Sequence, residues 1–363
     1  MSINEIIVYI MVACMALGAI DKCLGNKFGI GEQFEEGIMA MGSLALAMVG
    51  VICLAPVLAS VLGPIVTPVF NALGADPAMF AGSILANDMG GAPLAASLAQ
   101  DPQAGMFSGL IIGAMMGATI VFTIPVSLGI IEKKDHKFLA TGILAGIITI
   151  PVGAFVGGLV AGFPAMMVLK NLVPIIIFAI LIAIGLAFAE EAMIKGFNIF
   201  GKIVVIIITL ALAAAIIEAL TGFVIIPGMA PITDGIEIVG DIAIVLAGAF
   251  PLVFVITKVF NKPLMALGKV LGMNDVSAAG LVASLANCIP MFGMMKDMDN
   301  RGKIINVAFS VSAAFVFGDH LGFTAGFNSN MITPMIVAKL VGGITAVLLA
   351  MVIANKTLKK ENV

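Results

Sequence analysis

The sequence predicts an all-α polytopic membrane protein: about nine full transmembrane helices and two broken re-entrant hairpins, arranged as an inverted repeat. Three observations predict it. Apolar residues make up 61% of the 363 residues and charged residues only 11%, with a mean hydropathy of +1.20. That is too little solvated surface for a water-soluble domain. Apolar runs of roughly 18 residues or more, enough to cross a bilayer, recur along the whole chain. Two further apolar stretches are broken by Pro, Gly, Asn and Asp at matching places.

The runs are helical rather than barrel strands, because they are continuous and lack alternation at every second residue. Glycines in "GILAG", "GAFVGG" and "LVGGITA" give small faces on which helix backbones approach closely. The opening "MSINEIIVYIMVACMALGAI" has no basic n-region and carries Glu5, so it reads as a retained first span, 4–20, rather than a cleaved signal. Full spans follow at 38–62, 105–131, 138–160, 171–189, 203–226, 241–257, 304–325 and 334–354. Segments 64–99 and 262–298 are the broken ones. The four cysteines show no metal-ligand spacing and read as small core residues.

Lysine and arginine set the sides, since cytoplasmic loops accumulate them. "EKKDHK" at 132–137, "KGFNIFGK" at 195–202, "NRGK" at 300–303 and the tail "NKTLKKENV" are basic, whereas "PITDGIEIVGD" at 231–241 has neither residue. Nine crossings with the N-terminus outside and the C-terminus cytoplasmic satisfy every loop. The first broken segment then enters from outside and the second from inside. They also resemble each other: "LGADPAMFAG" at 73–82 matches "LGMNDVSAAG" at 271–280, and "LAN" recurs at 85–87 and 285–287. The plan is a first repeat over 1–170, a linking helix and cytoplasmic loop over 171–202, and a second repeat over 203–363. Inverted repeats whose broken segments meet near the midplane are the architecture of secondary transporters.

A backbone interrupted at membrane depth survives only when it is buried in protein or lines a wet cavity. "LANDMGGAP" at 85–93 and "LANCIPMFGMM" at 285–295 are such interruptions. Asn87 and Asn287 either line a binding surface or merely satisfy freed carbonyls, and Asp88 adds a charge that needs a partner. The other acids at membrane depth are Glu218 and Asp319; the bases are Lys339 and, by its protonation, His320. Ionisable groups there are costly and are functional candidates by default. Acid outnumbers base, which favours a cationic or amine substrate. On an unbroken helix, Ser312, Phe315 and Phe323 share the face of Asp319. A carboxylate with a hydroxyl and two rings suits a small ammonium. The alternative is a structural lock of Asp319 with His320 or Lys339. Glu218 is the weakest candidate, roughly 12 Å from the outer end of its span.

Other chemistry is missing from the sequence. It has no Walker loop, no HExxH and no GxSxG, so it reads as neither an ATPase nor an intramembrane protease. No cofactor and no nucleic-acid partner are implied. Met-rich "MFGMM" reads as adaptable packing rather than a soft-metal path.

"GEQFEEGIMAMGSLALAMVG" at 31–50, "DMGGAPLA", "TIVFTIPVSLGIIE", "IPMFGMMKDMDNRGK" and "GDHLGF" together resemble the ethanolamine permease family of bacterial ethanolamine utilisation, from the first span to the last. The resemblance implies a uniporter or facilitator in the bacterial inner membrane that delivers ethanolamine to a cytoplasmic ammonia-lyase. It assigns no binding residues. Two other readings stand beside it: an ion-coupled symporter of another small amine or amino acid, and a non-transporting membrane scaffold or sensor. Small-residue faces permit a homodimer without specifying one.

Overall fold

In a computed structural model, residues 3–361 are described, and every regular element among them is helical. Helix α1 spans Ile3–Cys23 and α2 spans Ile30–Ala72. Two short helices, α3 (Met79–Ile84) and α4 (Gly91–Leu98), flank a break. Then come α5 (Pro102–Ile130), α6 (His136–Val160), α7 (Ala165–Phe188) and α8 (Glu190–Thr221). Helix α9 (Ile232–Val270) leads to a second interrupted pair, α10 (Asp275–Ala286) and α11 (Cys288–Met294). The chain ends with α12 (Asn300–Ala313), α13 (Asp319–Asn328) and α14 (Ile332–Glu361).

Packing follows the small-residue faces. Helix α2 lies along α9, and α6, α12 and α14 pack against one another. The glycines of "GILAG" explain the closest of these contacts. A β-carbon at Gly142 or Gly146 would sit 2.5 or 2.4 Å from the side chains of Val307 or Val311 on α12. Helix α5 is the centre of the bundle, with every residue of its 107–117 stretch buried.

Each broken pair is a hairpin whose two ends are tied together. At the base of α3–α4, Asp76 Oδ2 accepts from the backbone N–H of Gln100 and Asp101 at 3.0 and 2.8 Å. At the base of α10–α11, Asp299 Oδ1 accepts from Asn274 N and Ser277 Oγ at 2.9 and 2.8 Å. From the first base, α5 runs its whole length, roughly 43 Å. Just past its far end Asp135 pairs with Lys303 at 2.7 Å, next to the second base. The two hairpin bases therefore lie near opposite ends of α5.

The helices depart from the expected bounds in three places. Eight helices among the described residues are long and apolar enough to cross a membrane, against nine expected. The missing one is 304–325, which is α12, a turn over 314–318, and α13. The broken segments are also shorter than 64–99 and 262–298. Helix α2 continues through Pro64 and Pro68, and α9 through Pro263. In an apolar bundle, proline bends a helix whose freed carbonyl finds another partner, rather than ending it. The side chains of the basic tail from residue 356 onward lie outside the described residues.

Candidate functional site

The backbone is irregular where three elements converge. Between α3 and α4, residues 85–90 leave the helix, and Asn87–Met89 form one 3₁₀ turn. Helix α5 is π-helical over Phe107–Gly117 and Thr119–Thr123, a wider turn often found at functional sites. The third irregularity is the 314–318 turn. Its N–H groups are satisfied by the end of α10: Phe315 N donates to Ser284 O at 3.0 Å and Phe317 N to Leu285 O at 2.9 Å. Phe315 has φ of 63°, a left-handed conformation strained for a bulky side chain.

These elements, with one face of α2, line a partly open cavity of about 240 Å³. That space admits a small solute of a few heavy atoms together with water. Asp88 comes from the first break; Phe315 comes from the 314–318 turn, and Asp319 and His320 from the start of α13; Phe122 comes from α5; Ala40, Ser43, Leu44 and Ala47 come from α2. Phe122 and Phe315 meet edge to face with centroids 5.6 Å apart, and Phe315 lies 5.1 Å from the His320 ring. One wall is thus aromatic and another carries two carboxylates. Neither Asp88 nor Asp319 has an ion pair or a side-chain hydrogen bond among the described residues.

His320 does not pair with Asp319. Its Nδ1 lies 3.0 Å from Lys339 Nζ, and that ammonium also donates to the Ala114 carbonyl of the π-helical stretch. An ammonium donor on Nδ1 leaves the imidazole as acceptor there, with its proton on Nε2. Adjacent residues at the start of a helix point about 100° apart, so Asp319 faces the cavity while His320 turns toward α14.

The other expected residues separate. Asn87 is fully buried and both of its side-chain polar atoms lack a partner. Asn287 caps its own helix, its Oδ1 accepting from Ile289 N at 2.8 Å. Because the chain turns at 314–318, Ser312 does not share a helical face with Asp319, whereas Phe323, four residues on in α13, does so without lining the cavity. Ser312 packs where α12 meets Gly342 of α14, and its hydroxyl is buried without a partner. Phe323 is buried and stacks on Phe327. Helix α8 ends at Thr221 rather than 226, so Glu218 stands in its last turn, where its carbonyl accepts from Gly222, and does not line the cavity.

Three contributors went unassigned in the sequence, Phe122 of α5 among them. Ser43 lines the cavity beside small residues at positions 40 and 47, a helical stripe visible in the sequence. Lys339 was visible as a lone buried base, but only the fold joins it to His320.

The model of the family described as "Ethanolamine utilisation protein, EutH" matches residues 3–353. The chain is 70% identical over 361 residues to the "probable ethanolamine permease EutH" of Listeria monocytogenes, covering 99% of this chain and 97% of that protein. It is 53% identical over 394 residues to the Escherichia coli protein of the same description, covering 98% and 97%. It is also 54% identical over 346 residues to the "uncharacterized protein YxeR" of Bacillus subtilis, covering 95% and 94%. No solved structure matches the chain. A multi-pass helical bundle with this match along almost its whole length belongs to the EutH family of ethanolamine utilisation proteins.

Proposed function

We propose that this chain is an ethanolamine permease, moving the protonated amino alcohol across a bacterial cytoplasmic membrane by alternating access. The observation that carries the reading is the pair of unpartnered carboxylates, Asp88 and Asp319, in a small cavity walled by Phe122 and Phe315. Ethanolamine keeps its ammonium at neutral pH, as lysine does with a pKa of about 10. A carboxylate takes the ammonium, the rings add cation–π attraction, and the exposed Ser43 hydroxyl is a partner for the alcohol. A permease, rather than an enzyme, is also what the names of the Listeria and Escherichia relatives say of those proteins.

The transport cycle rests on an inverted repeat of α1–α6 and α8–α14 about the linking helix α7. Three features support it. The element order recurs, with a long helix, a broken hairpin, an irregular span and a closing helix in each half. Contacts exchange accordingly, α1 on α9 mirroring α8 on α2. A tight approach also recurs at a spacing of about 200 residues: a β-carbon at Gly117 would lie 1.9 Å from Leu85 O, and one at Gly318 would lie 2.1 Å from Ala286 O. In this reading the N-terminus is outside and the C-terminus cytoplasmic, and the bundle is competent as a monomer or homodimer upstream of an ammonia-lyase.

The test is uptake of labelled ethanolamine into proteoliposomes, with sodium and proton gradients imposed separately. Uptake that saturates without either gradient supports a facilitator. Uptake that collapses without sodium replaces it with a symporter, and no movement of any amine refutes transport. Cysteine labelling at 100–104 and 299–302 tests the sides, and both loops reacting from one side would refute the inverted repeat.

A further inference from the structure

Lys339 is 1% exposed, about two turns into α14, with no acid in ion-pair contact among the described residues. An ammonium removed from water without compensation is expensive, so its position requires a reason. Its hydrogen bonds run to the Ala114 carbonyl and to His320 Nδ1, both neutral acceptors. Its charge is felt by Asp88, which also feels Asp319. Glu36 acts on Asp319 as well, but it is exposed, one turn beyond Ala40 on α2, and water screens it.

The ionisable groups facing or backing the cavity are therefore two carboxyls and one amine, with the neutral imidazole contributing no charge. In their ionised forms they sum to a single negative charge. One bound monocation brings that to neutrality. A dication overshoots it, in a region where water is scarce and unbalanced charge is costly.

We propose that Lys339 is a specificity-determining residue: a resident ammonium that sets the net charge of the cavity and so restricts it to monocationic amines, excluding aliphatic diamines. The proposal rests on the amine-transport reading and adds to it a rule of selection. Lys339 acts through charge and touches no substrate. Removing it should not merely weaken the site. It should shift preference toward a ligand carrying one more positive charge.

The experiment uses the full-length protein in proteoliposomes. Ethanolamine uptake is measured against rising concentrations of butylamine, a monocation, and of putrescine, a diamine of the same chain length that is a dication at neutral pH. Wild type should be inhibited by butylamine at concentrations at least tenfold below those of putrescine. Lys339→Met should reduce or reverse that ratio by about tenfold or more, and Lys339→Arg should retain it. An unchanged ratio in Lys339→Met overturns the proposal. If that variant does not fold, equal inhibition of wild type by the two amines overturns it without any mutant. A wild type that carries no ethanolamine refutes the transport reading instead, so the two failures are distinguishable.

Discussion

The two broken hairpins begin from the same tripeptide and end in different chemistry. At Leu285–Asn287 the interruption is self-contained: Asn287 caps the next helix, and the Ser284 and Leu285 carbonyls accept from the 314–318 turn. At Leu85–Asn87 both polar atoms of the asparagine side chain stay unpartnered, and the following residue is Asp88, aimed at the cavity. One tip is thus closed on itself, while the other leaves polar groups unpartnered beside the cavity. What separates them is the residue after "LAN", an acid in one and Cys288 in the other.

The largest expected effect sharpens the contrast between the two hairpin bases. Near the second base, Lys303 and Asp135 form an ion pair with side chains only 7% and 3% exposed. Lys303→Ala should lower stability by about 3–5 kcal/mol, because it strands a buried carboxylate. Near the first base the comparable link is Asn171 Oδ1 accepting from Asp76 N at 2.7 Å, and Asn171→Ala should cost about 1 kcal/mol. Thermal unfolding of purified variants in detergent measures both, and equal losses would erase the asymmetry.

Next comes the comparison of the tips. Asp88→Asn should raise the ethanolamine concentration for half-maximal uptake by about 10–100-fold, the worth of a hydrogen bond to a charged group. Asn287→Ala should leave uptake nearly intact while removing a helix cap worth about 1 kcal/mol. Matching transport defects would mean that both tips bind. Gly117→Ala and Gly318→Ala should each destabilise by about 1–3 kcal/mol through overpacking, and a harmless change at either site would count against equivalence of the halves. The smallest effect belongs to exposed Glu132, whose carboxyl the Lys134 ammonium holds below the usual range. A lowered folded-state value stabilises above the unfolded one and is lost as pH falls through it. In water that contribution is slight, so melting curves of Glu132→Gln and wild type should differ little at neutral pH and superimpose in acid.

Much of this was legible from composition and charge. The long apolar runs gave the helices, and the repeated "LAN" located both breaks. Three residues of the cavity, Asp88, Asp319 and His320, stood out because charge is rare in such a chain. The break at 314–318 was not legible, since "AFVFG" is apolar and contains no proline. It is stabilised by carbonyls some thirty residues earlier in the chain, a tertiary effect without local signature. That error moved Ser312 into the expected site, while Phe323 shares the face of Asp319 on α13 but stacks on Phe327 instead. Proline misled in the opposite direction, suggesting helix ends at 64 and 263 where the backbone continues.

The 43 residues of α2 and the 39 of α9 have a consequence for the lipid. At 1.5 Å per residue they measure roughly 65 and 59 Å, about twice the 30 Å hydrocarbon core. Paired lengthwise, they must lean, bend at their prolines or project into the headgroups, and any change in their lean alters how much apolar surface meets acyl chains. Bilayer thickness therefore acts on the bundle as a mechanical load, at a fraction of a kcal/mol per Å of mismatch. Ethanolamine uptake in vesicles of graded acyl length should pass through an optimum, and truncating the projecting end of α2 after Ala55 is the wrong way to shift it, since Ala40–Ala47 lie on the same rod as the cavity wall. Replacing Pro56, Pro64 and Pro68 with alanine should straighten that rod and move the optimum toward thicker membranes.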